Sequence, residues 1–198
     1  MRKLLLALAL MPLAACFDAD MTFTVEDSDN AKMHAVMRMG PELYGMIAAS
    51  GEDPCEEGVG EVLADGGYTC TIEESDTIDN IIAELNEGVS EDSENPMDMG
   101  EGFALERLEN GNIKVAFDLG SMNDDMAEQG MDPQMMEGMM QAFTGRQISI
   151  TVVGPEVVET NGVLAEDGKS ASMVIPLTKL FAPENDLPDS FDVVINPN

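Results

Sequence analysis

Residues 19–39 read ADMTFTVEDSDNAKMHAVMRM, and this stretch predicts the first two strands of the fold. Every second residue from Ala31 to Met39 is alanine or methionine, the period of two expected of a strand with one buried face. Asp27-Ser28-Asp29-Asn30 supplies short polar side chains that favour a tight reversal. We therefore predict a hairpin of two strands, 19–27 and 31–39.

The rest of the chain contains further short strands and two or three helices. Asn110-Gly111 predicts the turn of a second hairpin over 102–118. The helical pattern is strongest at 76–87, where four apolar side chains share one face (Ile78, Ile81, Ile82 and Leu85) and Asp76 is a candidate N-cap. The other predicted elements are a helix at 41–49, strands at 68–73, 146–153, 171–176 and 190–195, and a loop at 89–101. Together they predict an α+β fold, with an antiparallel sheet of roughly six to eight strands and two or three inserted helices.

Residues 1–15 have the organisation of a secretory signal peptide. Arg2 and Lys3 give a positive start, an apolar run follows, and small residues precede Cys16. The run is well short of the roughly 20 residues that cross a bilayer. The segment Leu13-Ala14-Ala15-Cys16 resembles the lipobox of bacterial lipoproteins, which implies cleavage before Cys16 and lipid on its sulfur. An ordinary secretory signal followed by a chance cysteine is the alternative.

A lipid on Cys16 would hold the protein to a membrane of the cell envelope, facing outside the cytoplasm, provided that two or more acyl chains are attached. Phe17 follows the cysteine, whereas inner-membrane retention commonly uses Asp at that place. This favours the outer membrane in a cell that has two membranes. The mature chain, residues 16–198, has the length of one domain.

The chain is strongly acidic, with 39 acidic and 9 basic residues and a formal net charge of −30. Nucleic acids are bound by clustered Lys and Arg, so this charge argues against a nucleic-acid partner. It also argues against docking on anionic lipid headgroups. Solubility in a salty exterior is sufficient to explain the acidity.

Cys55 and Cys70 are the two cysteines that follow Cys16. In an oxidising compartment such a pair usually forms a disulfide. A redox or metal-binding pair is the alternative, but no Cys-x-x-Cys motif is present. We predict a structural Cys55–Cys70 disulfide.

Two stretches of the chain resemble the LppM domain family of bacterial lipoproteins. The first is Cys16 to Val25, a lipidated cysteine that leads straight into an alternating strand. The second is Ile148 to Pro155 with Val158-Glu159-Thr160-Asn161-Gly162, followed by Met173 to Leu177. The resemblance implies a single α+β lipoprotein domain over 16–198 that binds lipid or glycolipid. The family offers no catalytic residues to carry over.

A methionine-rich stretch covers residues 121–143. Asp132 and Pro133 suit a helix start, and five following residues make an apolar face. That face consists of Met135, Met136, Met139, Met140 and Phe143. Ordinary core packing explains it, and so does an adaptable surface for lipid tails or partner helices. A Cu(I) site is a third reading because thioether sulfur is soft, but no His or Cys lies nearby.

His34 is the single histidine, and no motif supplies it with a nucleophile and an orienting acid. The acidic runs 91–94 and 123–125 lack the ligand spacing of a calcium loop. We therefore predict no enzyme, no metal ion and no cofactor. The expected function is a lipid-anchored envelope module that binds lipid or glycolipid. The alternative is a protein-interaction or structural lipoprotein without a small ligand.

Overall fold

The structure is a computed structural model that describes residues 17–51, 53–56, 58–87, 102–120, 143–180 and 186–198. The α+β class is confirmed. The elements are β1 (Phe17–Val25), β2 (Asn30–Met39), α1 (Pro41–Ser50), β3 (Val59–Val62), β4 (Tyr68–Thr77), α2 (Ile78–Glu87), β5 (Phe103–Arg107), β6 (Ile113–Asp118), β7 (Gln147–Val153), β8 (Glu156–Thr160), β9 (Val163–Leu164), β10 (Ser170–Pro176), α3 (Leu177–Leu180) and β11 (Ser190–Asn196).

The strands form two sheets rather than one. The large sheet has the order β3-β4-β2-β1-β7-β10-β9, and the small sheet has the order β5-β6-β11-β8. Among the described strands, all pairings are antiparallel except the pairing between β1 and β7, which is parallel. The alternation of apolar and polar residues along a strand shows that the strand has one buried face. It does not show which sheet covers that face.

The predicted first hairpin is confirmed, with β1 and β2 in register from Phe17 opposite Met39 to Val25 opposite Ala31. The Asp27 carboxylate closes the turn by accepting hydrogen bonds from the backbone N–H groups of Asp29 and Asn30, at 2.8 and 2.9 Å. The bond from Asp29 is the largest cause that lowers the pKa of Asp27. The turn is therefore held by its own side chain, as the polar tetrapeptide predicts.

Two groups of buried apolar residues form the core. The first core cluster lies between the two sheets and includes Phe23, Phe103, Phe117 and Phe191, whose successive ring centroids are 5.3, 5.2 and 6.0 Å apart. The second core cluster lies on the same inner face of the large sheet, next to α1. It consists of Ala35, Met39, Cys55, Tyr68, Cys70 and Ile72, with Leu43, Tyr44 and Ile47 of α1 packed against it.

The start of α2 differs from the sequence prediction. Strand β4 pairs with β2 as far as Thr77 opposite Asn30, so the helix begins at Ile78. The hydroxyl of Thr77 accepts the capping hydrogen bond from the Asn80 N–H at 3.2 Å. The prediction of Asp76 as N-cap was wrong because that residue still belongs to the strand, where its side chain accepts from the Thr77 N–H.

Four short elements were not predicted: β3, β8, β9 and α3. Strand β3 has four exposed residues, so it lacks the apolar alternation that identifies a half-buried strand. The predicted loop at 89–101 lies outside the described residues. Within the described ranges, no helix is both long and apolar enough to span a bilayer.

Candidate functional site

Some of the candidate site residues predicted from the sequence lie within the described structure, and others lie outside it. Cys16, Met135, Met136, Met139 and Met140 lie outside the described residues. Phe143 is described, and it is partly buried against the first core cluster. The methionine-rich segment therefore reaches the described part of the fold at the edge of its main core.

The disulfide predicted between Cys55 and Cys70 is present, with a Cα–Cα distance of 5.5 Å. It ties the loop after α1 to β4, and both sulfur-bearing residues are buried in the second core cluster. The Cys55 N–H also donates to the Asp53 carboxylate at 2.9 Å. A buried disulfide in a packed cluster fits a structural role.

A pair of stacked tyrosines lies beside the disulfide. The rings of Tyr44 in α1 and Tyr68 in β4 are 4.5 Å apart and nearly parallel. Burial raises the pKa of the Tyr68 hydroxyl, with further contributions from the charge of Asp53 and from Tyr44. Gly60 makes room for this ring, since a Cβ there would stand 1.7 Å from the Tyr68 hydroxyl oxygen. The tyrosine pair fixes α1 on the sheet.

Between the two core clusters lies a group of partly buried apolar side chains that we name the inner-face strip. The strip consists of Phe17, Ala19, Met21, Met37 and Ile148. Ala19 is directly opposite Met37 on one side and Ile148 on the other. Phe17 packs against both clusters, Met21 and Ile148 against the first, and Met37 against the second. The strip is thus a continuous apolar surface that joins the two clusters.

The strip follows directly from the alternation in β1. Odd-numbered residues from Phe17 to Val25 face inward, whereas Asp18, Asp20, Thr22 and Thr24 face outward. Phe23 and Val25 are fully buried at the far end of β1, but burial is incomplete at the Phe17 end. Methionine side chains are unbranched and adapt to irregular apolar partners. An apolar surface of this kind is suited to contact with an alkyl chain.

The parallel pairing of β1 and β7 brings two important segments to one end of the large sheet. The Arg146 side chain donates to the Asp18 carboxylate at 2.9 Å, and the Gln147 N–H donates to the other carboxylate oxygen at 3.1 Å. Phe17 directly follows Cys16, and Phe143 lies four residues before the start of β7. The predicted lipidation site and the end of the methionine-rich segment therefore enter the fold side by side.

A shallow polar groove of about 470 Å³ lies on the outer face of the small sheet. Its centre is an ion pair of Lys114 and Asp192, with 2.9 Å between Nζ and Oδ1. Burial raises the pKa of the Asp192 carboxyl, but hydrogen bonds from Ser190 and Lys114 outweigh burial and leave that pKa lowered. The hydrogen bond to Asp192 raises the pKa of Lys114. The two charges of this pair therefore satisfy each other.

His34 lies on the outer face of the large sheet, with Nε2 3.8 Å from Oε1 of Glu73. Lys32 Nζ is 3.6 Å from the same oxygen. Thr22 stands opposite His34 on β1. These groups lie on an open sheet surface. Among the described residues, no three His, Cys, Asp or Glu side chains are close enough together to hold a metal ion.

The fold is similar to the NMR structure of the folded domain of the LppM protein from Mycobacterium tuberculosis. The TM-score is 0.47 at 12% sequence identity, and the similarity covers 91% of this chain and 90% of that chain. No family model and no curated protein matches the sequence. At this TM-score the likeness carries no argument about function, so membership of the LppM domain family stays a prediction.

Proposed function

We propose that this protein is a lipid-anchored, non-enzymatic module of the cell envelope that binds the apolar chain of a lipid or glycolipid on its inner-face strip. The anchor is the lipid on Cys16. The observation that carries the proposal is the continuous, incompletely buried apolar surface between the two core clusters. Apolar ligand sites are typically concave and lined by aliphatic and aromatic side chains, and the strip supplies both.

The surroundings of the strip support this proposal. Phe17, Ala19 and Met21 belong to the strand that begins one residue after Cys16. A ligand on the strip would therefore lie close to the membrane that holds the anchor. The methionine-rich segment ends at Phe143, beside the same end of the sheet, which is a suitable place for an adaptable cover.

The disulfide supports the proposed location. Disulfides persist in oxidising compartments and are rare where glutathione keeps thiols reduced. Cys55–Cys70 lies in a packed cluster, as expected of a structural bond in an exported protein. The leader and its lipobox-like end provide the route of export.

Native mass spectrometry of the mature chain, purified from an exporting host, tests the proposal. The covalent lipid on Cys16 survives denaturation, whereas a bound lipid is released, so the two masses are separable. We expect an added mass of a phospholipid or glycolipid in the native spectrum alone. A native mass equal to the denatured mass would refute lipid binding and leave the anchor intact.

A matched pair of variants locates the ligand. Ala19→Phe enlarges the side chain at the centre of the strip, whereas Val174→Phe makes a similar change on the opposite face of the sheet, where Val174 is 50% exposed. Ala19→Phe should lose the added mass and Val174→Phe should keep it. Near-ultraviolet circular dichroism shows whether both variants remain folded. Equal retention of lipid in the two folded variants would place the ligand elsewhere.

A protein-interaction role is the second candidate, and the edges of the large sheet favour it. Val59 and Val62 in β3 and Val163 and Leu164 in β9 are apolar, exposed and at the two outer strands. Edge strands present unpaired backbone groups that can pair with a partner strand. Cross-linking in intact cells from Val59→Cys would capture that partner, and an absence of adducts would argue against this role.

A further inference from the structure

Strand β3 forms one outer edge of the large sheet, and its backbone is open on that side. In an antiparallel pair, opposite residues alternate between those that bond each other through their backbones and those that direct N–H and C=O away from the partner. The Leu63 N–H donates to the Gly67 C=O at 2.7 Å, which fixes this alternation in the β3–β4 hairpin. The backbone groups of Gly60 and Val62 therefore point outward, and no other described group forms a hydrogen bond with them.

We name this surface the β3 edge, which consists of Val59–Val62. Proteins protect exposed edges with Lys, Pro or a bulge, and β3 contains none of these. The side chains of Val59 and Val62 are 75% and 57% exposed. The outer strand at the other end of the sheet, β9, has only two residues and presents a shorter edge. The β3 edge is therefore the better place in the large sheet for another strand to add.

The Tyr68 hydroxyl reaches the surface at the β3 edge without a partner. Tyr68 is only 8% exposed, and its hydroxyl lies directly over Gly60, where no side chain blocks it. It forms no hydrogen bond with any described group. Because none of the described buried side-chain N or O atoms lacks a partner, this oxygen must be accessible from outside. A side chain that arrives opposite Gly60 could accept the hydrogen of this hydroxyl.

Charge indicates which kind of strand fits the β3 edge. No Lys, Arg or His occurs from residue 39 to residue 106. The exposed acidic residues in β3 and in the loops at its two ends are Asp53, Glu56, Glu61 and Asp65. A second copy of this chain would bring the same excess of negative charge to the contact and would be repelled. A strand with Lys or Arg opposite Glu61 would be attracted.

We propose that the β3 edge binds an extended, basic segment of another polypeptide, which adds to the large sheet as a further strand. Its backbone bonds Gly60 and Val62, a Lys or Arg side chain faces Glu61, and a polar side chain faces the Tyr68 hydroxyl. In this mode of recognition the backbone bonds supply affinity, and alternate side chains supply specificity. The inference does not rely on lipid binding, and it assigns the protein-interaction role to one edge and one kind of partner.

Titration of the mature chain with a synthetic peptide tests this proposal. The peptide has about six residues, the usual length of a strand, and lysine alternates with threonine. We expect the peptide to slow hydrogen exchange at the Gly60 and Val62 amides, with little change at β9. Alternate N-methylation of the peptide keeps its charge but removes the N–H donors, so the methylated peptide should bind at least about threefold more weakly. Equal binding of the two peptides would overturn the proposal, because charge alone would then explain the binding.

A matched pair of proline variants locates the contact. Val62→Pro removes an outward N–H that the β3–β4 ladder does not use. Leu164→Pro is the control at the opposite edge, since the Ala165 N–H donates to the Ser170 C=O at 2.8 Å and the alternation turns the Leu164 N–H outward. Val62→Pro should weaken binding of the unmethylated peptide about threefold to tenfold. Leu164→Pro should leave that binding unchanged.

A second pair of variants tests the charge of the partner. Glu61→Gln should weaken binding about twofold to fivefold, whereas Glu166→Gln, which removes one exposed charge just after β9, should have less effect. Near-ultraviolet circular dichroism shows whether each variant is folded. Equal weakening within either pair, or no binding of the lysine peptide, would overturn the proposal. If Val62→Pro does not fold, the methylated peptide still decides, because that comparison uses the unchanged protein.

Discussion

Arg146 and Asp18 form an ion pair in which Nη1 lies 2.9 Å from Oδ2. The arginine precedes β7 and the aspartate is the second residue of β1, so the pair fastens the parallel strands at their shared beginning. The Gln147 N–H donates to the same carboxylate. Both charged side chains are 29% exposed, which limits screening by water. Strands β1 and β7, which are distant in sequence, are thus joined by an ion pair as well as by their backbone pairing.

Asp18→Asn should destabilise the protein by about 1 kcal/mol, because the replacement weakens an ion pair and a hydrogen bond that are shielded from water. Asp20→Asn is the control, since Asp20 makes an ion pair with Arg38 whose two side chains are 51% and 50% exposed. The control should lose about 0.5 kcal/mol or less. Urea unfolding of both variants provides the comparison. Equal losses would show that burial does not distinguish the two pairs.

Gly60→Ala should destabilise the protein by about 1–3 kcal/mol because the new methyl group overlaps the Tyr68 hydroxyl and forces the tyrosine from its stack on Tyr44. Gly45→Ala is the matched change in α1, where a Cβ meets nothing within 4 Å. That variant should gain about 0.8–1 kcal/mol from helix propensity. Thermal unfolding measures both, and a loss in Gly45→Ala would contradict the packing of α1.

Asp192 gives the protein a pH dependence that can be measured. Burial opposes the charged form, but hydrogen bonds from Ser190 and Lys114 leave the pKa of Asp192 below the usual 3.8. A lowered folded pKa stabilises the protein above pH 3.8, and that stabilisation is lost as the pH falls through the folded pKa. The difference in unfolding free energy between the wild type and Asp192→Asn should therefore shrink in acid.

The control for this measurement is Asp189→Asn, which changes an exposed aspartate three residues away. That variant removes one negative charge but keeps the Lys114–Asp192 ion pair in place. Lys114, the partner of Asp192, shows the opposite dependence at high pH. Because folding raises the pKa of Lys114, its contribution to stability is full below pH 10.5, the usual pKa of lysine, and is lost as the pH rises through the pKa in the folded state. A pH-independent difference for Asp192→Asn would contradict the ion pair.

Reduction of the Cys55–Cys70 bond should lower the unfolding free energy by about 3 kcal/mol, the chain-entropy estimate for a closed loop of about 15 residues. The two sulfur-bearing residues belong to the second core cluster, so β3 and α1 should lose hydrogen-exchange protection before β6 and β11 do. Cys55→Ala/Cys70→Ala, treated with the same reductant, is the control, and its stability should not respond. Uniform loss of protection across both sheets would show that the clusters unfold as one unit.

The sequence by itself determined the local elements. The alternation from Ala31 to Met39 and the polar turn before it specify a hairpin, because side-chain direction and turn chemistry depend only on neighbouring residues. The disulfide was predictable for a similar reason, since the mature chain offers Cys55 one partner besides the lipidation site. The stripe at 76–87 predicted α2, although tertiary pairing of β4 moved the cap from Asp76 to Thr77.

The tertiary structure alone decided which distant residues meet. The parallel pairing of β1 with β7 joins segments more than a hundred residues apart, and the Asp18–Arg146 ion pair reinforces it at one end. The inner-face strip likewise depends on where the small sheet and α1 leave the inner face of the large sheet incompletely covered. The alternation of residues along a single strand does not reveal this. Long-range strand pairing is determined by the sum of many weak contacts and by the shape of the whole core. It therefore cannot be predicted from any short window of sequence.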